Sequence, residues 1–310
     1  MKNIYEVRAS NKIKSFVVVV FFFLFVSITV WVLSQAIGLY MGYEPGGLGY
    51  VGLALIISGI SSFISYWYSD KIVLSISGAR VANSYEDRLF TSVVDNLSIG
   101  AGISKPKLYV IEDSAPNAFA TGRDPKHAVV CVTTGLLQKM NRSELEGVIA
   151  HELTHIINFD IRLMSVVSVM VGLVALLGDW FFRVRFFGGG RSRDREDNQL
   201  GTIMMVLGII FAIVSPIIAT LIQLAISRRR EFMADAGGVT LTRHPQGLIS
   251  ALKKISADHE PLEAANKATA HLYIANPFKD KVGGTVGWFS KLFNTHPLIE
   301  ERIKTLQKMA

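Results

Sequence analysis

The hydrophobic pattern divides the chain into apolar runs and polar stretches that alternate along its length. No charged residue lies between Ser15 and Tyr43, and Phe16 to Leu33 is dense in Val, Phe and Ile. A helix crosses the hydrocarbon core of a bilayer in about 20 residues, so this run predicts a membrane helix over about 16–37. Val51 to Tyr68 is a second uncharged run, predicting a helix over 51–68. The short connection between them holds Pro45 and a glycine cluster, so 1–69 reads as a membrane hairpin. Leu163 to Phe182, interrupted only by Asp179, and Gln199 to Ser227, which contains Pro216, predict a second hairpin within 163–227. Its helices are expected at about 163–182 and 200–227, and how deeply the first of them enters is the open point.

The remaining stretches, 70–162 and 228–310, read as two parts of one globular domain. Tyr85 to Leu97 has helical spacing, while Lys107–Ile111 and Ala128–Thr133 are short β-rich runs with a loop between them. Ser143 and Glu146 have the capping-box spacing, and nothing breaks a helix from there to Asn158. Asn294 to Pro297 opens a closing amphipathic helix, with Pro297 in the first turn. The expected fold class is therefore an α+β membrane protein: four hydrophobic helices carrying a cytoplasmic domain of helices and a small sheet.

Composition strengthens this reading. Half of the 310 residues are hydrophobic, and mean hydropathy is +0.36, which is not a typical soluble composition. The net charge of +7 would suggest nucleic acid in a soluble protein. Here Lys2, Arg8, Lys12 and Lys14 precede one apolar run and Arg228, Arg229 and Arg230 follow another. Membrane topology and anionic lipid headgroups account for them without nucleic acid. The same charges place the N-terminus and both parts of the globular domain in the cytoplasm. Between Arg183 and Asn198, five arginines and three acids surround a triple glycine. Parity puts that loop outside, against the positive-inside tendency, and a shallow re-entrant hairpin would remove the conflict. The first apolar run exceeds the ~7–15 residues of a signal peptide, which favours an uncleaved anchor over the loose cleavage-like Ser34-Gln35-Ala36. Cys131 is the sole cysteine, which excludes an intrachain disulfide and a cysteine-rich metal site. It falls in an apolar alternating stretch and reads as a packing residue.

The chemistry centres on His151-Glu152-Leu153-Thr154-His155. Residues four apart lie nearly above one another on a helix, so both imidazoles can share one metal ion. Glu152 sits beside them, placed to accept a proton from water. A catalytic zinc takes three protein ligands, so one is still needed. Glu231, directly after the fourth apolar run, is the best candidate. Asp235 shares its helix face and can accept a hydrogen bond from the second nitrogen of a ligating histidine. The alternative is that Glu231 and Asp235 neutralise the three preceding arginines.

HELTH, the Glu231-Phe232-Met233-Ala234-Asp235 run, Asn117-Ala118-Phe119-Ala120-Thr121-Gly122 and Thr295-His296-Pro297 together resemble the HtpX group of membrane-embedded zinc metallopeptidases. These are relatives of the CAAX prenyl proteases. The similarity spans essentially the whole chain. It implies His151, His155 and Glu231 as ligands of one Zn2+, Glu152 as the catalytic base and Asp235 as support for a ligand. It further implies that Asn117, Ala118, Phe119 and Ala120 lie along the cleft and bind substrate backbone. His296 matches a position near the site, its alternative being a helix cap. The implied activity is endoproteolysis of damaged or misfolded membrane proteins and unfolded polypeptides at the cytoplasmic membrane, with self-cleavage. The competing class is a membrane scaffold or transporter with a structural metal. Against it stand the few ionisable groups within the apolar runs and the open fourth position that three ligands leave.

Overall fold

The computed structural model describes residues 4–40, 48–83, 85, 87–170, 228–265, 269–277 and 297–309. The expected helix over 200–227, the run 163–182 beyond residue 170, and His296 lie outside the described residues. Two long helices open the chain, α1 (Ile4–Tyr40) and α2 (Leu48–Trp67). Helix α1 starts well before the apolar run, because its basic first turns contain no breaker. Its segment Ala9–Ile28 is long and apolar enough to cross a membrane, whereas the apolar part of α2, Leu55–Trp67, is shorter. The two helices lie side by side. Phe16 is 70% exposed, and Ile13, Ile56, Ile60 and Phe63 also present their side chains outward.

After the short α3 (Ser69–Ile76) come β1 (Arg80–Val81), α4 (Arg88–Ala101), β2 (Lys107–Ile111), β3 (Ala118–Thr121) and β4 (Val129–Thr133). The strand order is β1-β2-β4-β3, with β2 and β4 parallel and both outer pairs antiparallel. Two departures from expectation occur here. Helix α4 begins at Arg88, not Tyr85, and the apolar stripe Phe90, Val93, Val94 and Leu97 turns it into the core it shares with the HELTH-bearing helix. The connection between the two β-rich runs is itself partly a strand: β3 is only four residues long, two of them alanine, and is held by pairing with β4.

Side chains alternate across the sheet. Val110, Val130, Val132, Ala118 and Ala120 face a core shared with α6, while Phe119, Cys131, Val129 and Ile111 face Leu272, Tyr273 and Met164. Cys131 is wholly buried, and burial pushes its thiol pKa far up, which suits packing and not reactivity.

Helix α5 (Thr134–Lys139) leads into α6 (Arg142–Ile157), which carries the HELTH run. The capping box is Asn141 with Glu144, not Ser143 with Glu146. Asn141 Oδ1 accepts from Glu144 N at 3.0 Å, and Glu144 Oε2 accepts from Asn141 N at 2.8 Å. Ser143 is already inside the helix, and Glu146 instead pairs with Arg142 at 2.9 Å. Nearly every residue of α6 from Glu144 to Ile156 is buried. It packs against α4, β3, α8 (Arg228–Thr242) and α9 (Pro245–Ala257). Phe159, at φ +60°, turns the chain by 86° into α7 (Asp160–Met170). The closing helix α10 (Ile299–Gln307) begins after Pro297, so Pro297 precedes the first turn.

Candidate metal centre

The central helix α6 presents His151 and His155 on one side, their rings 4.7 Å apart and nearly perpendicular. Helix α8 crosses α6 at Gly237 and Gly238, where any added Cβ would press on Thr154 or the His151 backbone. That close crossing brings Glu231 to the histidines. One ligand atom from each of His151, His155 and Glu231 lies within 4.8 Å of the others, and all three residues are buried. The Nε2 atoms are 3.2 Å apart. Glu231 Oε2 lies 3.7 Å from His151 Nε2, and Oε1 lies 3.6 Å from His155 Nε2.

The outer nitrogens have carboxylate partners. His151 Nδ1 lies 2.9 Å from Asp235 Oδ1, and His155 Nδ1 lies 3.0 Å from Asp160 Oδ2. Each carboxylate accepts the Nδ1 proton, which fixes the tautomer and leaves both Nε2 lone pairs facing each other in a buried space. Two lone pairs at 3.2 Å repel unless a proton or a metal ion lies between them. Tetrahedral zinc with bonds of about 2.0–2.1 Å requires donor separations of about 3.3 Å. The histidine pair meets that spacing, and the carboxylate is a few tenths of an ångström farther away. Charge leads to the same conclusion. Glu152, Asp160, Glu231 and Asp235 are buried carboxyls, and Arg230 and Arg302 are buried guanidiniums. Fully ionised and with both histidines neutral, they sum to −4 + 2 = −2, a charge that a divalent cation, or protons on His155 and Glu152, would balance. The residues present therefore fit the metal that the sequence implies.

Arg302 is wholly buried, which the expectation of a closing amphipathic helix did not foresee. Its Nε donates to Asp235 Oδ2 at 2.9 Å, Nη2 to Oδ1 at 2.6 Å, and Nη1 to Ile274 O at 3.0 Å. Asp160 was missed too. It lies beyond the end of α6, and only the corner at Phe159 returns it to His155. Its sequence signal was a lone acid three residues before the apolar run that opens at Leu163, where a charge is costly unless paired. Arg230 Nε stands 3.8 Å from Asp160 Oδ1, so it belongs to the site, whereas Arg228 and Arg229 are exposed. The other contact to Asp160 comes from α1: Asn11 Nδ2 donates to Asp160 Oδ1 at 2.7 Å and to Asn158 O at 3.0 Å.

Glu152 is buried against β3, whose Ala120 N–H is directed at its carboxylate. Burial pushes its pKa up to about 7, the charge on Glu231 adding to the rise and His155 and Arg302 opposing it. Burial pulls the His155 imidazole down. The Asp160 hydrogen bond and the charges of Glu231, Asp160 and Glu152 nevertheless push it up to about 9, so this pocket favours a cation. Asn117, Ala118, Phe119 and Ala120 lie on or beside β3, but not along an exposed edge. All four are buried, Ala118 O accepts from Ile274 N at 3.0 Å, and Asn117 Nδ2 donates to Ala275 O at 3.2 Å. Chain segment 270–275 covers that edge, and no local signal in its sequence foretold the pairing.

Comparison with known proteins agrees with this chemistry. Residues 84–310 match Peptidase family M48. The chain is 46% identical over 310 residues to the "Protease HtpX homolog" of Thermoanaerobacter pseudethanolicus, covering 99% of this chain and 98% of that protein. It is 47% identical over 273 residues to the protein of the same description from Thermococcus kodakarensis, covering 87% and 90%. The crystal structure of S. mikatae Ste24p aligns over 97% of this chain and 67% of that one, with 17% identity and a TM-score of 0.45. The chain thus belongs to peptidase family M48 and is a metallopeptidase, a hydrolase of peptide bonds.

Proposed function

We propose that this metallopeptidase is a membrane-bound zinc endopeptidase that cleaves damaged or misfolded membrane proteins and unfolded polypeptides on the cytoplasmic side. The observation that carries the chemistry is the convergence of His151, His155 and Glu231 beside a buried Glu152. A structural zinc takes four protein ligands, whereas three is the number that leaves a position for water and substrate. Zinc, when bound, supplies Lewis acidity that lowers the pKa of water toward about 7 and polarises the scissile carbonyl. Glu152 takes the proton of the attacking water on its carboxylate and delivers it to the departing amine nitrogen. Its carboxyl is poised near neutrality for both transfers. Asp235 and Asp160 hold the two imidazoles in the ligating tautomer. A role for His296 as a donor to the developing oxyanion rests on the resemblance alone. Substrate backbone pairs with Asn117–Ala120 after Ile274 has released Ala118 O, giving strand addition with little sequence preference.

The membrane part of the reading is supported by the apolar α1 and by the outward Ile13, Phe16, Ile56, Ile60 and Phe63. Trp67 and Tyr68 follow at the end of α2 as an aromatic belt at the water interface would. The second hairpin, 163–227, completes the four-helix proposal. Both ligand-bearing segments adjoin that hairpin, so the site meets loops and juxtamembrane segments of membrane proteins first. Self-cleavage follows from the same proximity.

Metal content and proteolysis, measured on the purified full chain in detergent, test the reading. Glu152→Gln retains zinc and loses cleavage of casein and of a membrane substrate. Glu231→Ala loses zinc as well. Cleavage surviving in Glu152→Gln refutes the mechanism, and wild type that holds zinc without cleaving anything favours the structural-metal scaffold.

A further inference from the structure

Asn11 sits in α1, near the start of the stretch Ala9–Ile28 that is long and apolar enough to cross a membrane, yet only 3% of it is exposed. Its side-chain amide has two N–H groups, and both are used across a sequence separation of nearly 150 residues. One goes to Asp160 Oδ1 at 2.7 Å and the other to Asn158 O at 3.0 Å. Asp160 Oδ2 in turn holds His155 Nδ1 at 3.0 Å. The residue between the two acceptors, Phe159, is in the left-handed region at φ +60°. A bulky side chain there costs on the order of 1–3 kcal/mol and persists only where the surroundings impose it. Asn11 therefore grips both sides of a strained corner through which α6 passes into α7. Ser15 Oγ, one turn further along α1, donates back to Asn11 O at 2.8 Å, and Ser15 is also buried.

We propose that Asn11 is a positioning residue for the metal centre: α1 completes the support of His155 by fixing the orientation of Asp160. This rests on the reading of His151, His155 and Glu231 as metal ligands. A carboxylate has two oxygens, and one hydrogen bond to His155 leaves it free to rotate about its χ2 axis. The Asn11 amide fixes the second oxygen, with Arg230 3.8 Å away as the nearby charge. The N-terminal helix is thereby an element of the active site as well as an anchor. An imidazole whose carboxylate partner is disturbed typically loses about 10–100-fold in metal affinity.

The test compares zinc affinity, by chelator competition, of the full chain in detergent with that of Asn11→Leu, which keeps the side-chain volume. The expected result is a loss of about 10-fold or more, with a changed visible spectrum of the cobalt-loaded protein and no further loss when Asp160→Asn is added. Asn11→Asp, which replaces the donor by an acceptor facing Asp160, gives the same pattern and serves if leucine disturbs packing. A residue that only packs α1 lowers the melting temperature of the metal-free chain without moving zinc affinity or the cobalt spectrum. That outcome overturns the proposal, as does a loss that adds to that of Asp160→Asn. If wild type itself holds no zinc, or if Glu231→Ala holds it unchanged, the underlying site assignment fails instead.

Discussion

Gly237→Ala isolates what the close crossing of α6 and α8 does. A Cβ at this position would lie 2.8 Å from Thr154 Oγ1 and nearer still to Thr154 Cγ2. Non-bonded carbon contacts settle at about 3.5–4.0 Å, so relief requires a movement of roughly 0.7 Å or more. Thr154 cannot rotate away cheaply, because it is buried and its Oγ1 donates to Ala150 O at 2.8 Å. The movement therefore falls on α8, which carries Glu231 and Asp235. Metal donors tolerate about 0.2 Å, so zinc affinity should fall at least about 10-fold. Metal-free stability should change far less. Alanine gains about 1 kcal/mol of helix propensity over glycine, against an overpacking cost of about 1–3 kcal/mol. Adding Thr154→Ala removes both offending atoms and leaves only Cβ, 3.2 Å from the new methyl, so the double variant should recover most of the zinc affinity. The assay is chelator competition on all three variants beside the parent. Undiminished zinc affinity in Gly237→Ala, or no recovery in the double variant, refutes the idea that this contact sets the position of Glu231.

Arg302→Met leaves Asp235 as a buried carboxylate without its bidentate partner, and such a loss typically costs about 3–5 kcal/mol. Denaturant unfolding of the metal-free chain should show it, and Arg302→Lys should recover only part, since an ammonium cannot span both oxygens and Ile274 O. Glu144 predicts an acid-labile component of stability. Burial works against its ionisation, but hydrogen bonds from Lys254, Ser250 and Asn141 N–H prevail and hold its pKa below the ordinary 4.5. A depressed folded-state value means that this stability is present above pH about 4.5 and is lost as pH falls through the folded pKa. Glu144→Gln should flatten the stability profile in that window, as measured by unfolding midpoints between neutral and acid pH; an unchanged slope would refute the assignment.

Much of the centre was legible because its chemistry is local. His151, Glu152 and His155 lie within five consecutive residues on one helix, and helical periodicity alone aligns the two rings. Glu231 and Asp235 share a helix face in the same way, and the structure delivers them to Nε2 and Nδ1 of His151 respectively. The β-rich runs 107–111 and 128–133 were also legible from β-branched residues. β3 was not, because Ala118–Thr121 is only four residues long with alanine at two of them, too short to show a pattern apart from its pairing with β4. The helix start slipped by two residues for a related reason. Asn141 and Ser143 both offer a capping oxygen, and the contacts of Glu144 with Ser250 and Lys254 on α9 favour the earlier one.

By itself the sequence singled out His151 and His155 as candidate metal donors and Glu152 as the candidate base, because spacing along a helix is a one-dimensional property, while Glu231 was added by the family resemblance. Beyond Asp235, tertiary structure decided what holds those donors in place. Asp160 reaches His155 around a left-handed corner, Arg302 comes from the last helix, and Asn11 from the first. Each of these looks like an ordinary polar residue in its own segment. Burying a polar or charged group is favourable only when a partner meets it, and here Asp160 meets His155 across a chain reversal while Arg302 and Asn11 come from parts of the chain remote in sequence.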